Sequence, residues 1–173
     1  AITALATANT TIGPAQYADM AQALAPRFLV DGPLDLRPSI SGNTLTINPG
    51  AALAAGTRLR VSGTTSVTLP SATLVTRTYV VVVRVDWSKG ATDAATLTYL
   101  PWSSSMVNST SSPDVNKINR IPGVMYDAVI CQVTRGTGIM DMVDLRLWGG
   151  DGGPLRVSQA GLDQPALIDA RSG

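Results

Sequence analysis

Neither histidine nor glutamate occurs in the 173 residues, and cysteine occurs once. General acid–base catalysis near neutral pH draws mostly on His and Glu, and zinc sites on His or several Cys, so most hydrolase and transferase mechanisms lose their usual parts. The lone Cys131 sits in the apolar run Ala128-Val129-Ile130-Cys131-Gln132-Val133. It rules out an internal disulfide framework and reads as a small buried hydrophobe. No apolar run approaches the roughly 20 residues that span a bilayer, and the first residues lack the charged start and apolar centre of a signal peptide, so a soluble chain without membrane insertion is expected. Lysine is scarce (Lys89 and Lys117) and the net charge is +1. Without clustered positive charge there is no general attraction for nucleic acid or anionic lipid.

What is present is hydrophobic: 45% of residues against 14% charged, which excludes disorder of the chain as a whole. Small Thr-rich residues lead to Gly13-Pro14, and then Tyr17, Met20, Ala21 and Leu24 recur at helical spacing before Pro26. The pattern predicts a short helix over Pro14–Leu24 that is too short to persist alone and must dock on another surface. After a Pro-interrupted connector the period changes to two. Thr44–Ile47, Ala51–Ala55, Arg58–Val61 and Ser66–Leu69 are each closed by Gly, Pro or Asn, and read as short antiparallel strands joined by hairpins. The strongest strand is Thr78–Trp87, with Tyr79, Val81, Val83, Val85 and Trp87 on one face and Val80 and Val82 on the other, which predicts a central position.

Ala95–Leu100 follows as its hairpin partner, then a Ser-rich excursion carrying Trp102, and two more strands over Val124–Val133 and Ile139–Leu147. The expected fold is mainly β, an antiparallel β-sandwich or small barrel with a short N-terminal helix and an extended C-terminal arm. Three parts follow: residues 1–36 as a docking arm, 37–148 as the β domain, and 149–173 as a Gly-rich linker and arm. The apolar residues of both arms, Tyr17, Met20 and Leu24 with Leu155, Leu162 and Leu167, are the candidate assembly interface.

Candidate chemistry is sparse. The Gly149–Pro154 run lacks the Lys-Ser/Thr ending of a phosphate loop and reads as a linker. Asp141, Asp144 and Asp151 could supply oxygens to calcium, but their spacing along a strand reads as solvated carboxylates. With no His and no Gly-x-Ser-x-Gly elbow nothing activates a serine, and no pair of Asp residues stands out as a glycosidase couple. Trp87 and Trp148 read as core or interface anchors, and Trp102, in a polar loop, as a candidate glycan contact. No cofactor or metal is expected.

From Leu45 to Arg146 the order of segments resembles a family of bacteriophage minor tail, tail-tip and fibre-base proteins. The cues are Ile47 to Gly56 as a Gly-bounded strand pair, Ser66 to Pro70, the long strand ending Arg84-Val85-Asp86-Trp87, its partner Ala95 to Pro101, Tyr126-Asp127-Ala128 to Val133, and Ile139 to Asp144-Leu145-Arg146. The resemblance implies a non-enzymatic β-sandwich tail component, made in the host cytoplasm and built into the virion at the tail tip or baseplate. It also implies a homotrimer whose partners are other tail proteins; a host-surface glycan is a further candidate partner through Trp102. Arg84 and Asp86 read as surface or inter-strand charges. The long Ser103–Ser112 loop, and the absence of a repetitive shaft after Arg146, turn the expectation toward an adaptor, a small minor tail protein or the anchoring end of a fibre. A capsid decoration protein and a carbohydrate-binding, receptor-binding module remain the alternatives; a depolymerase is disfavoured by the missing Glu and His.

Overall fold

The computed structural model describes residues 28–89, 94–103, 108–121, 123–148 and 156–157. In chain order the strands are β1 (Leu29–Val30), β2 (Pro38–Ser41), β3 (Thr44–Ile47), β4 (Gly50–Ala54), β5 (Thr57–Val61) and β6 (Thr65–Thr68). Then come β7 (Arg77–Asp86), β8 (Ala95–Pro101), β9 (Arg120–Ile121), β10 (Met125–Gly136), β11 (Ile139–Asp144), β12 (Leu147–Trp148) and β13 (Arg156–Val157). No helix occurs among the described residues, and the predicted Pro14–Leu24 helix lies outside them. The strands form three sheets, ordered β13-β12-β1-β4-β5, β11-β10-β7-β8 with β9 on β10, and β2-β3-β6. Among the described residues all pairings of these strands are antiparallel except β1 with β12.

The strand β7 is central, as its two apolar faces require. It lies between β10 and β8. Val81, Val83 and Val85 enter the main core with Val30 and Ala52 of the first sheet and Leu45 and Ile47 of the small one. On its other face Val80 and Val82 pack with Leu100 and Ile118. The segment 108–121 therefore covers a face that would otherwise expose valines to water.

The partner strand β10 keeps its side chains in phase by a bulge. Val129 pairs with Val82 and Cys131 with Val81, leaving Ile130 as the extra residue. Ile130 and Cys131 are both fully buried in the main core, as a bulge permits by turning two successive side chains the same way.

One expectation needs correction. The four short strands after residue 43 are not a simple run of hairpins. The β4–β5 link is one, a two-residue turn with Ala55 and Gly56 both at positive φ. Between β3 and β4, however, Asn48-Pro49-Gly50 carries the chain into a different sheet, and β6 returns to pair with β3. The connector is also more ordered than its prolines suggest: Pro38 opens β2, opposite Ile47, at the strand start where a missing N–H is tolerated. Residues 28–36 pack with the body through Phe28, Val30 and the fully buried Leu36.

Gly50 makes that crossing possible. Its φ is 155°, and a Cβ there would lie 2.7 Å from the Cα of Asp35, which is backbone and cannot swing aside. Gly50→Ala is expected to lower stability by about 2 kcal/mol or more, read as a fall in the denaturant midpoint. Gly63→Ala, where an added Cβ meets nothing within 4 Å, is the control and should be near neutral.

Candidate functional site

The densest polar chemistry lies on the second face of the central sheet. Asp127 on β10 is completely buried and faces Arg84 across the β7–β10 pair. Arg84 Nε donates to Asp127 Oδ1 at 2.7 Å and Nη2 to Oδ2 at 2.9 Å, a two-pronged pair. The same carboxylate accepts the backbone N–H of Asn119 at 2.7 Å and its side-chain amide at 3.1 Å. Asn119, also fully buried, receives the N–H of Asp114 at 2.9 Å and donates to the carbonyls of Asp114 and Lys117. Arg84 donates further to the carbonyls of Val115 and Lys117. Arg120 hydrogen-bonds the carbonyl of Asp127 and stacks its guanidinium 4.8 Å from the centre of the Tyr126 ring. Arg84 is thus an inter-strand charge, as read from the sequence, but an inward one: only 12% of its side chain is exposed. The network fastens the 108–121 segment over Val80 and Val82.

Two more arginines do similar work. Arg146, 2% exposed, holds Asp144 through Nη2 at 2.6 Å and donates to the carbonyls of Asp35 and Pro33 in the turn before β2. That turn contains Leu36 at φ 53°, a conformation rare for a branched residue. Arg135, 4% exposed, donates to Pro70 O at 2.6 Å and to Asn43 Oδ1 at 2.6 Å, joining the small sheet to the central one.

No group of three or more His, Cys or acidic residues placed to hold a metal occurs among the described residues. Asp144 is committed to Arg146, Asp141 is exposed, and Asp151 lies outside the described residues. Two carboxyls have lowered pKa values: Asp86, chiefly through the Ser88 hydroxyl, and Asp114, chiefly through the Asn116 backbone N–H. A general acid needs the opposite shift.

The thiol of Cys131 is pushed up to about 12, mainly by burial and then by the charge of Asp144. It stays protonated in the fold while the unfolded thiol ionises near pH 8.5–9, so the folded state binds more protons between the two values. Stability should fall as pH rises through this window, by at most about 1.4 kcal/mol per pH unit. Comparing unfolding at pH 8 and 10 with Cys131→Ala should show the variant lacking that component of the slope. Native protein should not react with a thiol reagent until it unfolds.

Two adjoining grooves run along β5. One, of about 730 Å³, is lined by Asp31, Asp35, Gly50, Arg58 and Arg60. The other, of about 390 Å³, is lined by Ile47, Val61, Val83 and Leu97 with Arg60 at its rim. Arg58 is paired with Asp31, Nη1 lying 3.0 Å from Oδ1.

No protein-family model and no curated protein matches this chain.

Of the residues singled out from sequence, Tyr17, Met20, Leu24, Leu155, Leu162 and Leu167 lie outside the described residues. Trp102 stands just past β8, 42% exposed, with its backbone N–H donating to Thr78 O at 2.8 Å. Tyr99 does not share an open aromatic surface with it. Its ring packs against the main core and meets Tyr79 edge-on at 5.6 Å. Sequence reasoning missed Asp127, Asn119 and Arg135 as structural centres. Their only signal was a charge or amide next to strong strand patterns, which by itself does not separate an inward from an outward side chain.

Proposed function

We propose that the protein is a structural component of a phage virion, a tail-tip, baseplate or fibre-anchoring protein. Its body is a β-sandwich held among other subunits, itself forming a homotrimer. The observation that carries the reading is the use made of the charged residues in the family-like motifs. Arg84 with Asp127, and Asp144 with Arg146, are engaged in fastening covering segments to the sheets. Such residues hold a shape and do not turn over a substrate, which is what a tail component requires.

Strand register adds support. Val30 lies beside Trp148 in a parallel pair, and Leu147 opposite Val157. The start of β1 at Leu29 and the end of β13 at Val157 therefore lie at one end of one sheet, about 10 Å apart by two inter-strand spacings. Arms that join a body at one pole suit attachment to a neighbour. Electron microscopy of intact virions carrying gold-labelled protein tests the proposal. Label at the tail end is expected; label over the capsid would favour a decoration protein, and no label on virions would defeat both.

The exposed Trp102 favours a second reading, contact with a host-surface glycan. Trp102→Ala should then weaken binding to host polysaccharide by about tenfold while leaving the unfolding midpoint unchanged, since stacking on one aromatic ring contributes about 1–2 kcal/mol.

A further inference from the structure

We infer that the groove beside β5 receives residues 158–173 of a second copy of this chain, which add to the sheet as an extra antiparallel strand. The inference rests on the assembly reading above and names the contact that would build it. The first observation is an open edge. β5 ends its sheet and pairs only with β4, so along its outer side no described residue meets its backbone N–H and C=O groups. An extended segment can satisfy them, and such edges attract strands unless they are covered.

The second observation is the match of side chains. Leu59 of β5 points into the core and Arg60 away from it, so Val61 turns inward beside the groove formed with Ile47, Val83 and Leu97. Arg60 has no carboxylate partner among the described residues, whereas Arg58 has Asp31. The segment contains Leu167-Ile168-Asp169. With Asp169 opposite Arg60 in an antiparallel pair, Ile168 falls opposite Val61 and faces the apolar groove, while Asp169 and Arg60 share the outer face. A parallel pair in that register would bring Ala170 to Val61 instead and leave the groove less filled.

Topology accommodates a second copy as the donor. β13 and β5 are the two opposite edges of one sheet. Tracing directions through the pairs β13–β12, β12–β1, β1–β4 and β4–β5 shows that β13 runs antiparallel to β5. A copy set further along the strand axis, beyond the Val61 end of β5, thus continues from its β13 in the direction that β5 accepts. The contact is head to tail, the kind that closes into a ring and supplies a physical basis for cyclic symmetry.

The test uses the full chain with Ser62→Cys, which lies opposite residue 167 in this register, and Leu167→Cys. The native Cys131 is buried and does not compete. Mixing the two single variants under oxidising conditions should give a covalent dimer that neither gives across this pair alone, and a chain carrying both should give a ladder of covalent oligomers. Intramolecular closure in the double variant, or no bond at all, would overturn the inference. In parallel, Arg60→Asp should weaken self-association about tenfold and adding Asp169→Arg should restore it; a double variant no better than the single one also overturns it. If the unsubstituted chain sediments as an oligomer but these bonds do not form, only this contact is wrong. If it sediments as a monomer, the assembly reading fails with it.

Discussion

Asp127→Ala should destabilise the body by about 3–5 kcal/mol, a large share of the roughly 5–15 kcal/mol that holds a domain folded. The loss comes less from the missing attraction than from what is stranded. Arg84 would keep its charge in a site where 12% of its side chain meets water, and the backbone N–H of Asn119 would lose its acceptor. Asp127→Asn, of the same shape, should cost less but still leave Arg84 without a counter-charge. Chemical denaturation gives the size of both effects. The companion change Arg84→Ala supplies a double-mutant cycle: if Arg84→Ala/Asp127→Ala is as unstable as the two single losses added together, the residues do not act as a pair.

Arg146→Met is expected to cost about 3 kcal/mol, since it leaves the carbonyls of Asp35 and Pro33 without their donor while preserving most of the side-chain volume. The effect should be local before it is global. The turn from Pro33 to Leu36 holds a leucine at φ 53°, and without the guanidinium that turn should open first. Hydrogen exchange at the amides of Asp35 and Arg37 should speed up more than exchange along β7. Equal acceleration at both places would show that Arg146 does not clamp the turn. Arg146→Lys should fall between, because a single ammonium cannot serve Asp144 and two carbonyls in the planar manner of an arginine.

Much of the fold could be read from alternation. The limits of β3 and the central position of β7 follow from which residues repeat every second place and which turn residues close each run. Partners could not be read that way. Period two tells which face a side chain takes, not which strand lies alongside, so the passage of the chain to another sheet at Pro49 and the return of β6 to β3 were invisible. Charged residues misled for a related reason. Arg84, Asp127 and Arg146 look the same in sequence as Arg58, which lies at the surface, because their burial depends on covering segments, 108–121 and 31–37, that have weak patterns of their own. The groove beside β5 is assembled from the edges of different sheets, so no contiguous stretch announces it.

The extra residue at Ile130 has an effect on what lengths of chain this strand can tolerate. On either side of it the residues that face the main core, Tyr126 and Ala128 before and Cys131 and Val133 after, are already paired in consecutive order with β7. Removing Ile130 alone would therefore leave every remaining side chain of β10 on its present face, whereas removing one residue away from the bulge would turn those beyond it inside out. The loss would be confined to one buried isoleucine and to the carbonyl that accepts the N–H of Leu145 at 2.9 Å. The longest strand among the described residues thus has a bulge at which a single-codon deletion is conservative in geometry, and it stands where the chain turns from β11 toward β12.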